Sequence, residues 1–221
     1  MTSGHRHRIL MLIGAVLALG LQAAIASAQS SISFSGRAYG ASLHLTTPPS
    51  DQVFADTGPL PPEGGMLTAE MASIGTAALT ASAVACTTSG SGSSASSSAQ
   101  AASVSAFAGG PAALTATEVR AESHANCAEA PGETIITGLT LAGLEVKVTG
   151  QPNQTVVIPG VATLVINEQI RQSGPPNIEV RALRLTLATG EELIVASAHS
   201  DVSCATPAQR STWGEVKSLY R

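Results

Sequence analysis

The sequence predicts an all-β fold: a single sandwich-like domain of short antiparallel strands, set between a cleaved signal peptide and a short helical tail. Apolar and polar residues alternate at period two through much of the C-terminal half, the spacing that sends one face of a strand into a core. Turn signals built from Gly, Pro and Asn recur every eight to fifteen residues there, the rhythm of a sandwich or barrel. Charged residues make up only 12% of the 221, beside 21 glycines and 12 prolines, which excludes a charge-rich heptad coiled coil.

The chain opens on the basic cluster His5-Arg6-His7-Arg8, then an uninterrupted apolar run over 9–21, then Ala26-Ser27-Ala28. That is the three-part layout of a secretory signal peptide, with cleavage expected after Ala28. The apolar run is shorter than the ~20 residues of a bilayer span. The expected organisation is therefore a signal peptide over 1–28, an all-β exported domain over 29–204 and a linker with a short amphipathic tail over 205–221. No later apolar run has spanning length, so no transmembrane segment is expected in the mature chain. Only six aromatic residues are scattered along it, too few for the girdles of a membrane barrel.

Within the domain, 31–45 reads as a strand and the Pro/Gly-rich 46–65 as a long flexible loop. The stretch 67–86 is ambiguous: Leu67, Met71, Ile74 and Ala78 fit a helix face, whereas the Thr/Ser/Ala alternation after Gly75 fits a strand, the reading preferred here. The Ser/Gly run 87–98 reads as a second flexible segment. Leu139 and Leu141, then Leu144, Val146 and Val148 after the small pair Ala142-Gly143, predict a hairpin. Short strands are expected at 156–158 and 161–169, separated by Pro159-Gly160. Ile178 and Val180 share one parity while Leu183, Leu185 and Leu187 take the other. A one-residue slip of that kind predicts a β-bulge near Ala182.

Three cysteines follow the signal peptide: Cys86, Cys127 and Cys204. In an exporting compartment one bridge and one leftover thiol are expected. Strand parity puts Cys127 on the same face as Val119, Ala121, Ser123 and Ala125, and Cys204 on that of Ala198, Ser200 and Val202. Both point to the small-residue inner face at a strand end, which makes Cys127–Cys204 the leading pair. Bonding of Cys86 to either one stays open. A zinc site from His124, Cys127, His199 and Cys204 competes, but regular strands send each histidine and its neighbouring cysteine to opposite faces.

Charge and motifs narrow the function. Eleven Lys and Arg face 15 Asp and Glu, and two of the basic residues leave with the signal peptide, so no basic surface for nucleic acid is expected. There is no G-x-S-x-G, H-E-x-x-H, C-x-x-C or phosphate-loop motif, and no catalytic residue, metal or cofactor is predicted. Glu168 in Asn167-Glu168-Gln169 is the one carboxylate weighed as a general acid or base; with no second carboxylate at a recognisable spacing, a strand end entering a solvated turn is the preferred reading. In the tail, Thr212 three residues before Glu215 forms a capping box, and Trp213, Val216 and Tyr220 recur at helical spacing. That stripe predicts a sorting or docking segment.

Five segments in order carry a resemblance: Ser35-Gly36-Arg37-Ala38-Tyr39-Gly40; Gly138-Leu139-Thr140; Pro152-Asn153 leading to Val156-Val157-Ile158-Pro159-Gly160; the strand closing on Asn167-Glu168-Gln169; and Ile194-Val195-Ala196-Ser197-Ala198-His199. Over 31–204 the chain resembles the choice-of-anchor P family of bacterial secreted proteins. The resemblance implies an exported, non-enzymatic surface or extracellular-matrix protein, secreted or held at the cell surface, with periplasmic passage in a Gram-negative cell. It implies no catalytic residues. The expected partners are cell-envelope or matrix components, or a sorting machinery reading Trp213, Val216 and Tyr220. The alternatives are a binding module for a surface polymer or small ligand and, behind it, a secreted hydrolase.

Overall fold

The computed structural model describes residues 32–204, so the signal peptide and the tail with Trp213, Val216 and Tyr220 lie outside the described residues. Thirteen strands are present in this span: β1 (Ser33–Thr46), β2 (Pro49–Phe54), β3 (Gly65–Gly75), β4 (Leu79–Ser91), β5 (Ser94–Ala106), β6 (Leu114–Asn126), β7 (Gly132–Thr137), β8 (Thr140–Leu141), β9 (Leu144–Glu145), β10 (Gln154–Ile158), β11 (Ala162–Ile170), β12 (Asn177–Leu187) and β13 (Glu192–Ser203). They form two antiparallel sheets packed as a sandwich. The first runs β10-β11-β12-β13-β1-β2; the second runs β3-β4-β5-β6-β8-β9, with β7 also paired to β6. No helix occurs among the described residues.

The core is made of small aliphatic side chains. Ala38, Ala95, Ala99, Ala121, Ala125 and Ala198 are buried on the facing surfaces, with Leu43, Leu114, Leu164, Leu183 and Leu185 filling the wider parts. Alternation in the strands supplies this face directly: in β5, Ala95, Ala99 and Ala101 point in while Ser96, Ser98 and Gln100 point out.

Several local expectations change. The run 87–98 is not a flexible segment but the paired end of the β4–β5 hairpin, turned at Gly92-Ser93. Its backbone is held in the ladder, and its inward hydroxyls on Thr88 and Ser97 hydrogen-bond to each other at 2.7 Å inside the core. A Ser/Gly composition resembles a linker only when those hydroxyls have no partners. The stretch 46–65 is likewise not a free loop. It contains β2, and the chain after β2 runs along β1 through Thr57 N–H to the Ala38 carbonyl (2.9 Å) and Leu60 N–H to that of Gly36 (2.7 Å). The ambiguous 67–86 is strand, as preferred. The predicted hairpin at Ala142-Gly143 exists with both residues at positive φ (53° and 76°), although β8 and β9 are only two residues each.

The parity slip at Ala182 is real but is not a bulge. Pairing is continuous on both sides of it: Ile166 and Glu168 face Leu183 and Arg181, and Arg181 and Leu183 face Ser197 and Val195. With no inserted residue, the slip must be shared by the neighbours. Registers place Asn153, Asn167, Ala182, Ala196, Gly40 and Ala55 on one rung across the whole first sheet. Four of them hold left-handed backbone: Asn153 (φ 58°), Asn167 (53°), Ala196 (55°) and Ala55 (51°). Each strand turns its side-chain parity over at the same rung, so register survives and the sheet is creased. The second sheet also holds left-handed residues, Ala83 (φ 47°), Ser103 (49°) and Gly138 (60°), but there the β4–β5 register shifts between Thr80 and Ser82 and again between Ser82 and Ala85, so the ladder is interrupted rather than continuous. The two irregular regions meet: a Cβ on Gly40 would lie 2.0 Å from Val84 Cγ1, beside Ala83.

Candidate functional site

Two outward surfaces collect the polar chemistry of the domain. The first lies on the outer face of the first sheet, against the crease. Because parity flips between them, Arg181 and Arg184 of β12 emerge on the same face three residues apart, with Glu168 of β11 between them. Arg181 donates to Glu168 (3.2 Å) and to Glu179 (2.8 Å); Arg184 donates to Glu168 (3.1 Å) and to Glu192 (2.7 Å). Ser197 of β13 adds a hydrogen bond to Glu179 at 3.2 Å.

Along the same face, Arg37 grips Asp56 in a two-point pair at 2.8 and 2.6 Å and lies 5.7 Å from the Tyr39 ring centroid. The Arg37 hydrogen bonds hold the Asp56 carboxyl below its ordinary range. Burial pushes the Tyr39 hydroxyl up, against a smaller opposite pull from its hydrogen bond with Ser197. Burial also opposes the charge of Arg181, but Glu179 and Glu168 outweigh it and the pKa is raised. These side chains satisfy one another.

Glu168 therefore lies inside a strand rather than at a solvated strand end, with its side chain only 14% exposed. Both its oxygens accept from arginine. A second carboxylate, Glu179, is brought near through Arg181, and sequence spacing concealed it because the two sit on neighbouring strands. The two guanidiniums hold Glu168 as the centre of an ion-pair network that runs on to Glu179 and Glu192.

The second surface lies on the outer face of the second sheet. Registers set Ser96 opposite His124, Ser98 opposite Glu122, and Glu122 opposite Glu133. With Arg120 they line an open cleft of about 500 Å³. Arg120 is ion-paired to Glu122, while its Nε is buried without a hydrogen-bond partner. The neighbouring strands β4 and β5 contain no Asp, Glu, Lys or Arg, so the cleft opens onto an uncharged hydroxyl-rich surface. Such a cleft suits a small polar or hydroxylated ligand.

The cysteines are resolved. Cys127 and Cys204 form a disulfide with Cα atoms 5.6 Å apart, and Cys86 is free and buried. Parity found the pair, with one difference. Both strands end one residue earlier, at Asn126 and Ser203, so Cys127 is exposed and the bond closes the end of the sandwich outside the inner face. Burial pushes the Cys86 thiol up to about 12, which leaves it a small core side chain rather than a nucleophile. The four side chains weighed for zinc do not converge: the cysteines are bonded to each other, and His124 and His199 lie on the outer faces of different sheets. Among the described residues no group of three His, Cys, Asp or Glu is placed to hold a metal ion.

No protein-family model, curated protein or solved structure matches the chain.

Proposed function

We propose that the chain is an exported, non-enzymatic component of a bacterial surface or extracellular matrix, as its resemblance to choice-of-anchor P proteins implies. The observation that carries this reading is the Cys127–Cys204 disulfide. Such bonds persist in oxidising compartments and are rare where thiols are kept reduced, and the bond accompanies a leader-like first 28 residues. One further fact supports it: Glu168, the carboxylate considered for acid–base chemistry, is engaged by Arg181 and Arg184.

Intact mass of the protein from envelope and medium, before and after reduction under denaturing conditions with alkylation, tests the reading. A species starting at Gln29 that takes one alkyl group before reduction and three after is expected. A full-length species confined to the cytosol with three free thiols overturns it.

A binding module is the second reading, favoured by the Arg120–His124 cleft and the buried unpaired Arg120 Nε. Calorimetric titration with fractionated envelope polysaccharide tests it. Saturable heat lost in Arg120→Met supports the module, and no heat with any fraction removes it.

A further inference from the structure

A strand at the edge of a sheet offers unpaired N–H and C=O groups to any further strand, and most edges of this domain are blunted against that. β10 is five residues between Pro152 and Pro159, β8 and β9 are two residues each, and β2 carries Pro49 and Asp51 among its six. β7 also has six, with its Gly132 carbonyl bound by Gln169. The first half of β1 is closed by the chain over 57–62, through the bonds of Thr57 and Leu60 and through Phe34 N–H to the Pro62 carbonyl (3.0 Å). The edge strand β3 has none of these devices. It runs 11 residues, pairs with β4 without a register shift and contains no Pro, Lys or Arg. Glu70 is its only charge, while Met66 is 66% and Met71 36% exposed. Among the described residues no backbone hydrogen bond outside the β4 ladder reaches it.

Only extended backbone satisfies such an edge. The segment 205–221 is poorly suited, because it holds Pro207 and Gly214 and its capping box and apolar spacing read as helix. β3 itself is suited, since two copies related by a two-fold axis run antiparallel. One register fits its sequence. Centred on Ala69, it sets Thr68 of one copy opposite Glu70 of the other, Leu67 opposite Met71 and Met66 opposite Ala72, so that 65–73 take part. Each carboxylate then faces a hydroxyl. Leu67, Ala69 and Met71, whose β4 partners Thr88, Cys86 and Val84 are buried, form one apolar inner row across both copies. A register centred on Glu70 sets the two carboxylates against each other, which is destabilising. One centred on Met71 sets exposed Thr68 beside inward Ile74, which is 2% exposed. Nine residues at ~3.3 Å give an edge of about 30 Å, which buries roughly 300–600 Å² per copy, the size of a weak, concentration-dependent contact.

We propose that β3 is a homodimerisation edge: two copies pair β3 with β3, antiparallel about Ala69, and their second sheets become one continuous sheet. Both partners use the same surface, so the contact closes at the dimer. The idea depends neither on export nor on the Arg120–His124 cleft, so it can fail while the mass measurement above succeeds, and the reverse.

Sedimentation velocity on the purified chain over a wide concentration range, with hydrogen exchange of the β3 amides at both ends of that range, tests it. A monomer–dimer equilibrium is expected. The alternate amides of 65–73 that face away from β4 should gain protection as the dimer fills. Thr68 is exposed, so its replacement leaves folding intact, and it meets Glu70 of the other copy twice per dimer. Thr68→Glu sets like charges at both places and should weaken the dimer about tenfold, whereas Thr68→Lys sets opposite charges there and should tighten it about threefold. Thr80→Glu, at an exposed β4 position outside the paired stretch, should leave the equilibrium unchanged. Monomers at every concentration overturn the proposal, as do species that grow past the dimer, a dimer indifferent to Thr68→Glu, or one that Thr68→Lys weakens. A monomer whose alternate β3 amides stay protected at every dilution also overturns it, because another part of the same chain then covers the edge.

Discussion

Gly36→Ala probes the contact between the two sheets more sharply than any other substitution. Thr88, Ser97 and Ser123 occupy one rung of the second sheet, and facing them in the first sheet are Ser200 and its register partner Gly36. The hydroxyls form a closed set: Thr88 to Ser97 at 2.7 Å, Ser97 to the His199 carbonyl at 2.6 Å, Ser200 to Ser97 at 3.2 Å and Ser123 to Ser200 at 2.9 Å. All four are buried, with at most 2% exposure. A Cβ on Gly36 would lie 2.5 Å from Thr88 Oγ1 and 3.2 Å from both Ser97 Oγ and the His199 carbonyl. The Thr88 hydroxyl must move and its bond to Ser97 is lost. Overpacking a core costs about 1–3 kcal/mol, and a buried hydroxyl left without a partner costs about 1–3 more. The stiffer unfolded chain returns roughly 0.4–1 kcal/mol. The net is a loss of about 3 kcal/mol. At a urea slope of ~2 kcal/mol/M this lowers the unfolding midpoint by about 1.5 M with the slope unchanged. Thr88→Ala makes room for the new methyl, so the double variant should resemble Thr88→Ala alone, with a coupling of about 3 kcal/mol, the whole cost of Gly36→Ala. A Gly36→Ala midpoint within ~0.5 kcal/mol of wild type, or two costs that simply add, refutes the argument.

Three other perturbations follow from the same geometry. Replacing Cys127 and Cys204 by serine opens a loop of 77 residues, and the chain-entropy model gives a loss of about 4.5 kcal/mol, read by chemical denaturation against the oxidised protein. Ala196→Val puts a β-branched residue at φ 55° in a fully buried site and should cost at least about 2 kcal/mol. Ala196→Gly suits that φ and should stay within about 1 kcal/mol of wild type, so equal midpoints for the two would contradict the crease. The Asp56 carboxyl titrates below its ordinary value in the fold, so its contribution is present above the unfolded pKa of about 3.9 and lost as pH falls through the lower folded one. Arg37→Met should therefore flatten the acid limb of the stability curve below about pH 4, measured by thermal melts across pH; an unchanged limb assigns that limb to other carboxylates.

The strands were legible where alternation between apolar and polar residues was strong, as in β10 to β13. They were poorly legible in β4 and β5, where inward Thr88 and Ser97 carry the same hydroxyl as outward Thr87 and Ser98. Polarity cannot separate two faces when both are serine and threonine; only the hydrogen bonds across the sandwich do. The slip at Ala182 was visible in one strand, yet its meaning required five others, because a bulge and a crease look identical until the partners' registers are known. For the surfaces, Glu168 was noticed, but its grip by Arg181 and Arg184 depends on the parity flip between those two arginines. The Ser96–His124–Glu122–Glu133 cleft gave no signal, since its residues lie on three successive strands and meet only through the pairing registers.

What a single chain of residues sets is therefore local: an all-β habit from period two and frequent turns, and the strand-end parity shared by Cys127 and Cys204 that proposed their bond. Those properties depend on near neighbours along the chain, which share one backbone geometry. The crease and the ion-paired face depend on which strands lie side by side. Pairing brings together residues separated by tens of positions, and nothing in their spacing records it. That is where the chemistry of this domain resides.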